Sequence, residues 1–286
     1  MKVLDPRLHA FREDIADEQL RGRVEAARFV AGRPARIVSA VADVHAAPDL
    51  RSGVNTQFLH GMDVTVFEQG EEWAWVQADY DGYVGYVLTR SLGEQGPSAT
   101  HIVQAARTFV YPEPELKLPR AGEQSMGALV TIVDFFEKRG TRYAILPDGA
   151  AMIASHLKPI GEAEEDYVSA AERLIYAPYL WGGTSGFGID CSGLVQLAMR
   201  MAGKVVLRDS DMQAASTGEV IEPGRDYAGL RRGDLVFWKG HVAIMASATE
   251  VLHANGSTMM VSHEPLSSAI GRIEPLFGKP IVFRRP

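Results

Sequence analysis

The stretch Tyr179-Leu180-Trp181-Gly182-Gly183-Thr184-Ser185-Gly186-Phe187-Gly188-Ile189-Asp190-Cys191-Ser192-Gly193-Leu194-Val195 decides how this chain is read. A glycine-rich loop runs into Asp190, and an apolar-periodic helix starts at Cys191. That helix would bury Leu194, Val195, Ala198 and Met201 or Ala202, and end at Gly203. Cys191 is the sole cysteine of the chain. A thiol at a helix N-terminus meets free backbone N–H groups and the positive end of the helix dipole, both of which favour thiolate. A lone cysteine is more commonly an inert core residue. The rest of the sequence has to choose between the two roles.

Downstream, Asp234-Leu235-Val236-Phe237-Trp238 reads as a strand after the Arg231-Arg232-Gly233 turn. His241 to Met245 follows across Lys239-Gly240, Glu250 to Ala254 is a third strand, and Ile281 to Phe283 a last short one. Tyr167 to Tyr176 reads as a helix ahead of them. A cysteine-bearing helix on an antiparallel sheet with two histidines is an α+β layout. His241, at a strand edge, suits a base that takes the thiol proton and returns it to a leaving amine. His253, twelve residues on, can be returned beside it by an antiparallel turn and would orient its ring. One thiolate and two imidazoles also bind zinc, so at this point both a nucleophile and a metal site stand open. The other six histidines have no distinctive context.

Upstream, residues 10–30 carry Leu20, Val24, Ala27 and Val30 at helical spacing, closed by Gly32-Arg33-Pro34. From Ala35 the pattern turns to short strands. Val64 to Glu68 and Trp73 to Gln77 form the arms of a hairpin around Gly70, and Tyr83 to Val87 follows the Asp81-Gly82 turn. A second region of similar size has strands expected at His101 to Thr108, Leu129 to Val133 and Tyr143 to Leu146. The placement of Ile153 to Leu157 matches that of Tyr86 to Leu92, which suggests two related small barrels. The acidic run Glu162 to Asp166 marks the next boundary. The expected organisation is a helical segment over 1–34, β domains over 35–98 and 99–160, and the Cys191 domain over 161–286.

The 286 residues carry a net charge of −7 without a long basic run, which disfavours nucleic-acid binding. A single cysteine excludes an intrachain disulfide and a cysteine-rich zinc site. No run approaches the length of a membrane span, and charges interrupt the first fourteen residues, so no signal-peptide core is read there. The expected location is the cytoplasm.

Three segments, Asp190-Cys191-Ser192-Gly193, Arg232-Gly233-Asp234-Leu235-Val236-Phe237-Trp238 and Gly240-His241-Val242-Ala243-Ile244, together resemble the NlpC/P60 family of papain-like cysteine hydrolases of the cell wall. The resemblance covers residues 165–286. It implies a nucleophile rather than a zinc ligand at Cys191, a base at His241, an orienting residue at His253, and no metal or cofactor. The front half is similar to bacterial SH3 domains, notably at Asp81-Gly82-Tyr83-Val84-Gly85-Tyr86-Val87. Two SH3-like barrels ahead of such a peptidase resemble the γ-D-glutamyl-L-diamino acid endopeptidases of the dipeptidyl-peptidase VI type. That group cleaves the γ-D-Glu–diamino acid bond of murein stem peptides with a free N-terminal L-Ala. The resemblance implies Tyr83 as a contact for the substrate amine, with Asp63 as the acidic partner where a Gly-Glu pair is typical and Gly61-Met62-Asp63 stands here. It also implies Trp181 as a cleft wall, Asp190 and Ser192 as contacts for the L-Ala-γ-D-Glu portion, and Arg208 and Ser210 as further substrate contacts. A role in recycling released murein peptides follows. The competing expectations are a catalytically silent wall-binding module and an amidase or acyltransferase of the same fold acting on another amide.

Overall fold

Strand-forming residues between turn signals dominate the first half of the chain, and the computed structural model describes residues 4–286. The chain divides after Ile160 into a front and a rear unit. In the front unit seven strands form one sheet in the order Val54–Leu59, Val41–His45, Val84–Leu88, Trp73–Ala78, Asp63–Gln69, Arg33–Ile37, Leu92–Gly93. The hairpin expected around Gly70 is present, with Asp63–Gln69 antiparallel to Trp73–Ala78. Its register shifts at Phe67, a bulge that lets this ring join Val66 in the interior.

The helix expected over residues 10–30 is absent. Ile15–Asp17 and Arg28–Val30 are instead short strands paired in parallel, joined through one 3-10 turn at Glu18–Leu20. The backbone at Gly22 is left-handed, with φ 79°, which breaks a right-handed helix in mid-run. The segment is part of the first β region. Ala10 and Ile15 pack in one cluster with Phe67, Trp75 and Val84. The Arg12 guanidinium lies 4.6 Å from the Trp75 ring centroid and bonds the Tyr86 hydroxyl at 2.7 Å.

Residues 101–159 build two further sheets. His101–Val103 lies between Leu129–Val130 and Leu157–Pro159. The other sheet runs Gly122–Ser125, Arg107–Tyr111, Ala151–Ile153, Thr141–Ile145, Asp134–Lys138. The single strand expected over His101 to Thr108 is broken, because Gln104 turns aside to bond the backbone of Ser155 and His156. Val103, Ala128, Val130, Ala144, Met152 and Leu157 form this region's own core.

The rear unit is α+β. Its sheet runs Glu219–Val220, Val282–Arg285, Leu235–Trp238, His241–Met245, Glu250–Asn255, Met260–Pro265. Helix Cys191–Met201 packs on His241–Met245 and Glu250–Asn255. Helix Leu266–Phe277 buries Leu266, Ala269 and Ile273 against Val236, Trp238, Ala243, Met245 and Val251. The first helix is shorter than expected: it spans Tyr167–Glu172, and Tyr176 is left-handed at φ 67°. No helix among the described residues is long and apolar enough to cross a membrane.

Candidate active site

Helix Cys191–Met201 begins where the sequence places it, because Asp190 is extended and caps it. The Asp190 Oδ1 accepts from the Gly193 N–H at 2.7 Å, and its Oδ2 accepts from the Gly182 N–H at 3.0 Å. One carboxylate thus ties the glycine loop to the first helical turn. Close approach of that loop explains a glycine in the turn: a Cβ on Gly193 would collide with the Gly183 carbonyl oxygen. Arg208 completes the arrangement, donating to both Asp190 oxygens at 3.0 and 2.6 Å and to the Ser192 hydroxyl at 2.8 Å.

The thiol is not in its expected state. Burial pushes Cys191 up to about 12, with the charge of Asp190 adding to it. The Val242 N–H, Arg208 and the Ser192 N–H act in the opposite direction and are outweighed. The favourable helix end therefore does not yield a resting thiolate.

His253 faces His241 across the sheet. The pairing of Ile244 with Leu252 sets a register in which His253 falls opposite Ala243, two residues from His241. Both rings therefore stand on one face, as a diagonal cross-strand pair. His241 Nε2 lies 3.0 Å from His253 Nδ1, and His253 Nε2 lies 3.1 Å from Glu264 Oε2. Arg272 donates to Glu264 through Nε at 3.1 Å and through its terminal nitrogen at 2.5 Å. Burial, then the charges of His253 and Arg272, push His241 down to about 3. Burial also pushes His253 down to about 4, against the opposing pull of Glu264. Burial works to raise the Glu264 carboxyl, yet the bonds and charge of Arg272 hold it below its usual value. The resting site is a neutral thiol with two neutral imidazoles, backed by an ion pair. Such a site makes its nucleophile by proton transfer to imidazole as the electrophile arrives. Among the described residues, no three His, Cys, Asp or Glu side chains are placed to hold a metal ion.

The expected substrate contacts fall in both units. Trp181 is 70% exposed on the loop before Cys191. Ser210 starts the helix Ser210–Ser216 and is partly buried. Asp190, Ser192 and Arg208 are bonded to one another, and Arg208 is 1% exposed, so its guanidinium serves the helix cap rather than an open surface. Tyr83 and Asp63 belong to the front unit. Tyr83 is buried beside strand Val84–Leu88, and Asp63 pairs with Arg36 at 2.7 Å.

Sequence reading missed Glu264 and Arg272, since it recognised neither strand Met260–Pro265 nor helix Leu266–Phe277. The apolar spacing Leu266, Ala269, Ile273 was the available signal for that helix. It also missed Gln213, which is fully buried and donates to the Ser192 carbonyl at 3.0 Å. Tyr179 stands just ahead of the glycine-rich loop. It is half-buried, and burial pushes its phenol up to about 12, with the charges of Cys191 and Asp190 adding to the shift. It therefore remains an O–H donor at neutral pH.

Comparison with known proteins agrees with these two units. The model of the bacterial dipeptidyl-peptidase Sh3 domain matches residues 44–92, and that of the NlpC/P60 family matches residues 176–272. Over 239 residues the chain is 27% identical to dipeptidyl-peptidase 6 of Lysinibacillus sphaericus, an alignment spanning 77% of this chain and 86% of that protein. Over 228 residues it is 26% identical to the gamma-D-glutamyl-L-lysine dipeptidyl-peptidase of Bacillus subtilis, spanning 70% and 72%. The crystal structure of an NlpC/P60 family protein from Bacillus cereus shares the fold, with a TM-score of 0.73 at 22% identity, covering 88% of this chain and 99% of that one.

Proposed function

We propose, from the premise that this chain is an NlpC/P60-family cysteine peptidase with an SH3-like N-terminal domain, related to peptidoglycan endopeptidases, that it cleaves the γ-D-Glu–diamino acid bond of murein stem peptides. The observation that carries this reading is the His241–His253 hydrogen bond on the strands against which the capped Cys191 helix packs. A front domain of dipeptidyl-peptidase type and relatives named for γ-D-glutamyl-L-lysine cleavage support the choice of bond.

The reaction follows from the resting protonation states. As the γ-carbonyl of D-Glu approaches, the Cys191 proton passes to His241 and the sulfur adds to the carbonyl carbon. The Cys191 backbone N–H, one of the unpaired donors of a helix start, faces the developing oxyanion. The Tyr179 hydroxyl is the second donor we assign to it. Collapse breaks the C–N bond, with His241 returning its proton to the leaving amine, and leaves a thioester. Water, deprotonated by His241, then hydrolyses the thioester and frees L-Ala-γ-D-Glu. Trp181 and Ser210 are the proposed substrate contacts of the rear unit. The resemblance assigns the free amine to Tyr83 and Asp63. We further propose that residues 99–160 are a second SH3-like barrel and that the protein acts in the cytoplasm as a recycling enzyme.

The test uses L-Ala-γ-D-Glu-meso-diaminopimelate, its lysine counterpart and an N-acetylated form, with products followed by mass. Cleavage confined to free-amine peptides is expected. Equal cleavage of the acetylated peptide sinks the amine requirement. No cleavage of any peptide, with sacculi still bound, points to a wall-binding module instead. Cys191→Ala is expected to abolish turnover, a loss of roughly 10⁴-fold or more, with an unchanged circular dichroism spectrum. Activity surviving in that variant removes Cys191 from the nucleophile role. Cell fractionation tests the location.

A further inference from the structure

The hydrogen bonds behind His241 fix more than its orientation. Arg272 makes two bonds to Glu264 and keeps it ionised, so its carboxylate only accepts. His253 therefore donates to it from Nε2, across 3.1 Å. A neutral imidazole has one N–H, so His253 Nδ1 is bare and accepts. Its partner at 3.0 Å is His241 Nε2, which must then carry the proton of that ring. His241 Nδ1 is left as the basic nitrogen.

We propose that Glu264, clamped by Arg272, is a positioning residue that sets the tautomers of both histidines and so fixes Nδ1 of His241 as the base. The inference rests on the reading of Cys191 as nucleophile and His241 as its base. The proton balance is simple. The thiol proton moves from Sγ to His241 Nδ1, the ring becomes imidazolium while still donating from Nε2 to His253, and nothing moves further along the chain. Glu264 stays ionised throughout and supplies a negative charge behind the imidazolium. Without it, Arg272 would face the two rings as an unbalanced cation, and His253 could lose its Nε2 proton, take one at Nδ1 instead and oppose the His241 N–H. The groups facing His253 are His241 on the neighbouring strand, Glu264 on the other, and Arg272 from the helix.

The geometry behind this assignment was invisible before the fold. His253 pairs with Ser262, and Glu264, two residues along the strand, shares the face of Ser262. Only the sheet register brings the carboxylate to the imidazole.

The experiment has two arms on the full chain. Nitrogen-15 NMR of histidine-labelled wild type reads the tautomers directly, and both His241 and His253 are expected as Nε2–H. Finding His253 as Nδ1–H overturns the proposal. Glu264→Ala is expected to lower kcat by about tenfold or more at little-changed KM. It should also move the alkylation midpoint of Cys191 with iodoacetamide to lower pH, because Arg272 then faces a site of neutral imidazoles as an unbalanced cation. Glu264→Gln keeps an oxygen to accept the Nε2 proton and is expected to recover much of the rate. Wild-type kcat and an unshifted midpoint in Glu264→Ala also overturn it. Should Glu264→Ala fail to fold, the Glu264→Gln midpoint and the wild-type tautomers decide. A Cys191→Ala chain that still turns over overturns the nucleophile reading instead, and the NMR arm still judges Glu264 separately.

Discussion

In the front unit Arg36 meets Asp63 at 2.7 Å, with side chains 17% and 35% exposed. In the rear unit Arg208 meets Asp190 at 2.6 Å, with side chains 1% and 11% exposed. The two bonds are alike on paper and differ in what surrounds them. Water screens the first pair and can replace either partner, so it adds little to stability. The second pair is out of water and has to be complete, because a bare buried charge is far costlier than no charge at all. The rear unit holds further such groups: His253, Asp234 and Asn255 are also buried, and each is hydrogen-bonded. The front unit also buries polar side chains, Lys158, His45 and Gln57 among them, but among the described residues its acidic side chains are not buried. What the site demands is polarity held still in a dry place, and the rear unit accepts a fragile interior to supply it.

Arg208→Ala is the strongest way to press this contrast. It leaves Asp190 buried and unpaired and should cost about 3–5 kcal/mol in chemical denaturation, with Cys191 alkylation slowed because an uncompensated anion stands beside the thiol. A loss under about 1 kcal/mol would mean that the buried pair behaves as a surface one. Acid is the next lever. His241 and His253 have folded values below the ordinary 6.5. The unfolded chain therefore binds protons first as pH falls, so stability is complete above about 6.5 and is lost progressively towards pH 4 and 3. His60 and His156 of the front unit shift in the same direction, also through burial, but by less. Hydrogen exchange read unit by unit should show the rear unit opening first on acidification. Equal opening would break the contrast. The smallest effect is expected from Arg36→Ala, at about 1 kcal/mol or less in the same denaturation measurement.

The Cys191 helix was legible because three local signals agree: a capping Asp190, glycines that let the loop close on it, and the apolar set Leu194, Val195, Ala198. The segment at 10–30 carried one such signal, periodicity, and it misled. Leu20 is buried, but Ala27 is exposed and Gly22 takes a conformation no helix allows. The His241 and His253 strands could be read from alternation and spacing. Glu264 could not, since its meeting with His253 depends on the register of a strand that alternates weakly, with Val261 buried and Glu264 half-buried. The thiol's raised value was equally out of reach: helix ends are visible in sequence, whereas burial and the charge beside Cys191 need the packed fold.

Arg12 lies against the faces of Trp75 and Tyr86 while Ala10 and Ile15 fill the space beside Phe67 and Val84. Ala10, Arg12 and Ile15 are thus an integral part of the front unit's packing. A fragment cut at Arg33, where the larger sheet begins, would present a greasy, aromatic-edged hollow to solvent. Such a piece would cling to its own copies, and a binding assay run on it would register stickiness in place of recognition. Cloning boundaries for this unit belong ahead of Asp5.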